Sequence, residues 1–387
     1  MKQRSGYPTR AVQGVRGKTA GDAHQSPERH LLRMLWRLAP GKQAQVLDVD
    51  GSSIAITNLD RVYWPADTGL GQAAITKRDL IAYLIGVSPL MLPHVANRPL
   101  TLFRWPEGIQ GRRVLQKHPK SALPAFVEQA TIFSVTKARD DRYLLCNNLA
   151  TLVWLAEMGA LEIHVWHSRV SKGPDVPGAR VIAGGCSRNL VDSIVNFPDY
   201  LLFDIDPYIY SGKEENGAEP EPNELAFEQG KQVAFWLKDV LDRIALKAFV
   251  KTSGKTGLHV VVPIARKLRF DAVRATAAEI SRYLLRAHAG TITTEWDTAK
   301  RRGKVFLYYN MNVRGKSIIA PYGPRGLRGA PVSMPLTWRE LARSKPLDFR
   351  IPTITARRKR RDAWAALHES KIDLELTLSR SAQTRGP

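Results

Sequence analysis

Two aspartates, Asp204 and Asp206, close the apolar run YLLFDIDP at residues 200–207. In an extended strand, residues at i and i+2 lie on one face with Cα atoms about 7 Å apart, so both carboxylates can reach one divalent cation. Hard cations such as Mg²⁺ and Mn²⁺ take oxygen ligands and leave positions open for phosphate oxygens. Nucleotidyl transfer uses such an arrangement to offset charge on the attacking and leaving oxygens. The same spacing also describes a solvated loop at a strand end, so the pair alone does not decide.

A second group is Ser253-Gly254-Lys255-Thr256-Gly257-Leu258-His259. Its Gly-Lys-Thr invites a P-loop reading, which fails on two counts. The glycine required five residues earlier is Phe249, and the helix that should follow is replaced by β-branched VVVP. A glycine-rich turn between strands, with Ser253, Lys255 and His259 projecting from it, makes instead a small anion pocket. A plain core histidine is the competing reading of His259. The third group runs Asn312-Val313-Arg314-Gly315-Lys316-Ser317 and on to Ala320-Pro321-Tyr322-Gly323-Pro324-Arg325. Arg314, Lys316 and Arg325 can gather on a triphosphate, or they can form a basic surface loop. Spacing leaves both open.

These groups need a frame. Alternating runs around Asp50-Gly51 predict a hairpin. Thr76 is a plausible N-cap for a helix whose Leu80, Tyr83, Leu84 and Val87 share a face. Residues 148–158 repeat that pattern up to Gly159, and LEIHVW then reads as a strand with Glu162 and His164 on one side. Residues 168–197 read as a long connection and 208–224 as a polar insertion. Val233, Trp236, Leu237, Val240, Leu241 and Ile244 keep a period near 3.6 and mark the clearest helix. FVKTSGKTGLHVVVPI gives strand, turn and strand; a helix from Asp271 to about His288 and a strand at KVFLYYN (304–310) follow. Strands and helices mix without strict alternation, so the expected class is α/β with a mixed, largely antiparallel sheet and flanking helices.

Length and charge narrow the partner. The chain has 387 residues, 44 % of them hydrophobic, enough for a sizeable core. Its 58 Lys and Arg exceed its 36 Asp and Glu by 22, which favours a polyanion. Residues 1–42 hold +7 of that surplus and residues 357–387 hold +4, led by the run Arg357 to Arg361. The ends therefore read as basic arms adding phosphate affinity, and the remaining +11 belongs to the body. No run approaches ~20 apolar residues and the first residues lack a signal-peptide core, so no membrane is expected. Cys146 and Cys186 make neither a disulfide framework nor a four-ligand zinc site, which points to a reducing cytoplasm.

Taken together, FDIDP, KTSGKTGLHVVVP and GKVFLYYNMNVRGK…APYGPR resemble, in order and spacing, the polymerase domain of bacterial DNA ligase D. That domain is of the archaeo-eukaryotic primase type and serves non-homologous end joining. The resemblance runs from about 46 to 350 and takes in RPLTLFRWPEG (98–108), QKH (116–118) and LEIHVW (161–166). It sets expected limits of 1–45 for a basic extension, 46–350 for the primase-like domain and 351–387 for a basic tail. It implies nucleotide addition to a DNA 3′ end at breaks and gaps, from NTP or dNTP, with Mn²⁺ or Mg²⁺ on Asp204 and Asp206. Ser253, Lys255, His259, Arg314, Lys316, Arg325 and His164 become the nucleotide-binding set. Asn58, Arg61 and Lys77 look like the family's grip on a downstream 5′-phosphate. A Ku-type end-binding protein, a separate ATP-dependent ligase and a cytoplasmic, nucleoid-associated location are further expectations.

One position departs from the pattern. The family's third carboxylate, on the strand before Asn-x-Arg-Gly, falls on Tyr308, whose phenol titrates near ~10 and is a poor ligand at neutral pH. Two readings follow. One is an end-joining nucleotidyltransferase, weakened at its second metal ion; the other is a silent relative that holds ends or nucleotides for a separate ligase.

Overall fold

The computed structural model describes residues 27–172, 175, 193–207, 223–354 and 361–383. Most of the expected 168–197 connection and all but the last two residues of the 208–224 insertion lie outside the described residues, as do Cys186 and four of the five residues in the 357–361 run.

The centre is a six-stranded sheet in the order Ile292–Thr293, Val305–Tyr308, Tyr200–Asp206, Leu258–Pro263, Phe249–Thr252 and Pro335–Leu336. Only its first pair is parallel. Alternation gives Leu201, Phe203 and Ile205 one face of the central strand and Leu202, Asp204 and Asp206 the other. Helices Glu224–Arg243 and Phe270–Ala287 pack on this sheet. A second, four-stranded antiparallel sheet runs Ser317–Ile319, Ala160–Trp166, Leu100–Arg104 and Val114–Gln116. Sequence patterning foresaw the central sheet but not this division into two. The turn at 309–316 carries the chain from one sheet to the other. Asn312, fully buried, fastens that turn: its amide donates to Leu202 O at 2.7 Å and its Oδ1 accepts from Leu202 N at 2.9 Å. It continues the ladder where the strand Val305–Tyr308 stops.

Local signals hold where they were strong. The hairpin Gln45–Val49/Ser52–Ile56 turns at Asp50 and Gly51, both with positive φ. Thr76 caps the helix Lys77–Val95 in a reciprocal box with Asp79, and Asn148 caps Leu149–Glu157. Among the described residues no helix is long and apolar enough to cross a membrane.

The folded body reaches past both expected limits. Helix Pro27–Arg37 buries Leu31 and Leu35, and Arg78 donates to the Leu35 and Leu38 carbonyls at its end. At the other end Trp364, Leu367 and Leu374 are buried, and Trp364 Nε1 donates to Val250 O at 2.9 Å. Asp362 accepts from Tyr322 Oη at 2.5 Å and His94 Nε2 at 2.9 Å. The basic count of both ends obscured a few large apolar residues that dock them. Truncating a buried tryptophan to alanine typically costs about 3–5 kcal/mol. Trp364→Ala is expected to lower the denaturant midpoint accordingly, whereas a tail outside the body would leave it unmoved.

Candidate active site

The metal-type pair stands at the C-terminal end of the central strand. Asp204 faces His259 across one neighbour and Tyr308 across the other, and Asp206 faces Phe306. Cross-strand partners share a face, so these side chains converge. Burial and the charge of Asp206 push the Asp204 carboxyl up to about 7. A divalent cation relieves both causes, and an all-oxygen donor pair suits a hard ion. The residues present therefore fit such a cation. Among the described residues no group of three or more His, Cys, Asp or Glu is gathered as a metal site.

Beside the pair lies the glycine-rich turn. Ser253 Oγ accepts from the backbone N–H of Lys255 and of Gly257, each at 3.1 Å, and so shapes the turn from within. Two glycines let it sit this close. A Cβ on Gly257 would lie 2.7 Å from Ile205 O, and one on Gly254 (φ +74°) 2.7 Å from Arg325 Cγ. His259 Nδ1 lies 2.8 Å from Lys251 Nζ, and its Nε2 faces Asp204 Oδ1 at 3.5 Å. His259 is buried, as a core histidine would be, and it also borders the Asp204 carboxylate. Burial, then Lys251 and Arg325, hold its imidazole well below the usual range.

Arg325 joins the sheets. Its Nη1 donates to Ser253 O at 3.0 Å, and its Nε lies 3.0 Å from Glu162 Oε1 in an ion pair. Glu162 also accepts from Gly326 N at 3.1 Å and from His164 Nε2 at 2.9 Å. Burial opposes its ionisation, yet His164 and Arg325 hold its carboxyl down at about 2. Burial keeps His164 below its ordinary value despite Glu162. Ser253, Arg325, Glu162 and His164 form one connected chain of contacts, and His259, between Lys251 and Asp204, stands on the neighbouring strand.

Sequence reasoning missed Lys251 and passed over Glu162. Lys251 is wholly buried, bonded to His259 and, at 2.5 Å, to Ser333 Oγ; burial and Arg325 press its ammonium well below the ordinary lysine value. A lysine inside the apolar strand FVKT, directly before the turn, was the available signal. Arg314 reaches away from this chain: its Nη2 donates to Phe133 O at 2.9 Å. It borders a cavity of about 310 Å³ with Thr101, Lys117, Tyr143 and Trp166. Thr101 is also the cross-strand partner of His164, so the cavity adjoins the site. Lys316 is exposed on the same turn and Lys255 is half-buried. A larger cavity of about 450 Å³, bordered by Trp36, Tyr83 and Ile351, includes none of these residues.

Asn58, Arg61 and Lys77 meet at one corner, because Arg61 N donates to Asn58 O and Lys77 N to Arg61 O. Lys77 is not on a solvated face. Its ammonium is buried on Glu157, 2.9 Å from Oε1, and Arg61 Nη1 donates to Pro106 O at 2.6 Å.

Comparison with known proteins settles the family. The model of the LigD primase-polymerase domain matches residues 76–364. The chain belongs to this family. It is 30 % identical over 288 residues to a LigD of Mycobacterium tuberculosis, a multifunctional non-homologous end joining DNA repair protein. That match covers 74 % of this chain and 33 % of the relative. Identity to the Bacillus subtilis bifunctional LigD is 28 % over 309 residues, 79 % of this chain and 43 % of the other. The chain thus spans less than half the length of these curated relatives. Among solved structures, the polymerase domain of M. tuberculosis ligase D in complex with DNA superposes with a TM-score of 0.66 at 27 % identity, covering 82 % of this chain and 99 % of that one.

For a LigD primase-polymerase chain, the strain on Asp204 has a measurable sign. An unfolded Asp ionises near ~4, so between about pH 4 and 7 the folded state holds a proton the unfolded state has lost. Without divalent cations, stability therefore falls through that window and levels off above it. Asp204→Asn removes the effect. Its thermal midpoint in EDTA should exceed that of the unmodified protein by a margin that grows from about pH 4 to 7 and then stays flat. A margin independent of pH would remove the strain.

Proposed function

We propose that this chain adds nucleotides to DNA 3′ ends at breaks and gaps during non-homologous end joining. The observation that carries this reading is the register that sets Asp204 between His259 and Tyr308, with Asp206 on the same face and the Ser253–Arg325 chain beside it. A carboxylate pair and an anion-binding group at one strand end are what phosphoryl transfer to a nucleic acid requires. Asp204 and Asp206 would hold Mn²⁺ or Mg²⁺, which supplies positive charge to the reacting phosphate oxygens. The glycine turn, Lys255, Arg325 and His259 would hold the triphosphate, with His164 and the cavity by Arg314 on the side of the sugar and base. Lys316 adds charge at the rim.

Tyr308 argues for slow chemistry rather than none. The two acids on the segment just before this strand are employed elsewhere: Asp297 Oδ1 caps a short helix by accepting from Ala299 N, and Glu295 lies 3.8 Å from Lys300. NTP or dNTP should bind normally while turnover stays weak, with Mn²⁺ better than Mg²⁺. DNA ends with a 5′-phosphate, a Ku-type protein and a separate ATP-dependent ligase are the partners this reading calls for. A cytoplasmic, nucleoid-associated location follows from the substrate.

Primer extension on gapped, 5′-phosphorylated DNA with Mn²⁺ tests the proposal. Weak extension is expected from the unmodified protein, none from Asp204→Ala with DNA binding nearly intact, and a clear gain from Tyr308→Asp. Equal rates for the unmodified protein and the Tyr308→Asp variant would mean another acid has replaced the lost one; no extension from either would leave a silent end-binding protein.

Charge and phosphate grip give a binding prediction. Neutralising six to ten phosphates should cost on the order of 10³–10⁵ in affinity between roughly 50 and 200 mM salt. At the Asn58–Arg61–Lys77 corner, Glu157 already neutralises Lys77. Arg61→Ala should therefore reduce the preference for phosphorylated over unphosphorylated gaps more than Lys77→Ala does. A titration by fluorescence anisotropy that ranks them the other way would show that Lys77 leaves Glu157 for the phosphate.

A further inference from the structure

Trp296 is the most exposed large hydrophobic side chain among the described residues, at 69 %. It does not stand alone. Its ring lies 5.4 Å from that of Tyr308 and 6.3 Å from that of Phe306, and these two stack on each other at 5.2 Å and 23°. Tyr308 and Phe306 are the cross-strand partners of Asp204 and Asp206. An aromatic ledge therefore begins at the carboxylate pair and ends in solvent at Trp296.

The ledge is held in place. The Arg301 guanidinium lies 3.6 Å from the centre of the Phe306 ring and 5.4 Å from that of Trp296. Its Nε donates to Glu295 O at 2.8 Å and its Nη2 to Trp296 O, so the backbone that carries Trp296 is pinned from behind. Lys300 and Arg302, both exposed, flank Arg301 in the chain. The Trp296 ring is tilted 45° to Tyr308 and 68° to Phe306, so it presents a separate face beside that stack. An exposed aromatic face near cationic side chains fits a base on a phosphodiester chain, because every base offers a π-face and its phosphates are anionic.

We propose that Trp296 stacks the terminal nucleobase of a single-stranded DNA 3′ end, with Tyr308 meeting it at an angle, and that the two so hold that end beside Asp204 and Asp206. The inference rests on the reading of this site as one that extends 3′ ends. It gives Tyr308 a use: the position that lacks a carboxylate supplies an aromatic face instead. Protruding 3′ ends then bind better than blunt ones, because only an unpaired base can leave its stack for the ledge.

The test uses the full chain without metal or nucleotide, at one fixed salt concentration. Its probes are a duplex whose 3′ overhang ends in 2-aminopurine and a blunt duplex of the same sequence. The unmodified protein should quench the terminal 2-aminopurine. Trp296→Ala should abolish the quenching and weaken overhang binding by about 5- to 150-fold, the range for loss of one stacked base, while blunt-duplex affinity stays unchanged. Trp296→Phe should retain both. Trp296 is exposed, so its removal leaves the core intact. Wild-type overhang affinity in Trp296→Ala, or equal losses on both duplexes, would overturn the proposal. Primer extension by the unmodified protein separates it from the activity. Extension without quenching removes the ledge and leaves the polymerase; quenching without extension keeps the ledge and removes the polymerase.

Discussion

The guanidinium of Arg325 sits between Glu162 of the four-stranded sheet and the Ser253 carbonyl that follows a strand of the six-stranded sheet. Each sheet alone carries half of a site. The central sheet has the carboxylates and His259; the smaller has Glu162 and His164. Arg325 closes the gap and at the same time fixes the glycine turn, since Gly254 packs directly on its side chain. Removing one partner from a buried ion pair commonly costs about 3–5 kcal/mol. The loop that carries Arg325 is itself anchored from several sides: Trp64 Nε1 donates to Arg325 O, Tyr83 Oη donates to Tyr322 O, and Tyr322 Oη donates to Asp362. This is why the C-terminal segment belongs to the body. It steadies the residue on which the site closes.

Electrostatics at the site run in two directions. Lys251, His259 and Arg325 crowd positive charge where a triphosphate would bring negative charge, and burial presses the first two toward neutrality. Asp204 and Asp206 crowd negative charge where a cation would bring positive. A metal–nucleotide complex, as proposed for this site, would relieve both tensions together by neutralising each cluster. Tyr308 breaks the pattern on one side only. On the proposed reading, the triphosphate side would be complete and the hydroxyl-activating side short of one anionic oxygen.

Legibility followed the range of the interactions. The Asp204–Asp206 strand, the glycine turn, the capped helices and the hairpin at Asp50-Gly51 rest on neighbours within a few residues, and the sequence patterns located them. Tyr308 was reached through family resemblance, and the register sets it opposite Asp204. Lys251, the Glu162–Arg325 pair and Asn312 on Leu202 depend on residues 70 or more apart, or on burial that no local pattern reports. Likewise the docked ends were hidden by their own charge. Lys77 follows the N-cap of its helix, yet the partner that buries it is Glu157, 80 residues on, which no local pattern reports.

The account predicts a site with one strong metal position rather than two. Counting bound Mn²⁺ by electron paramagnetic resonance, in the presence of a saturating non-hydrolysable nucleoside triphosphate, tests that most directly. One tightly held ion per chain is expected, lost in Asp204→Asn and joined by a second in Tyr308→Asp. Two tightly held ions in the unmodified protein would contradict it, because a complete pair of metal positions cannot be built on Asp204 and Asp206 with a phenol as the third ligand.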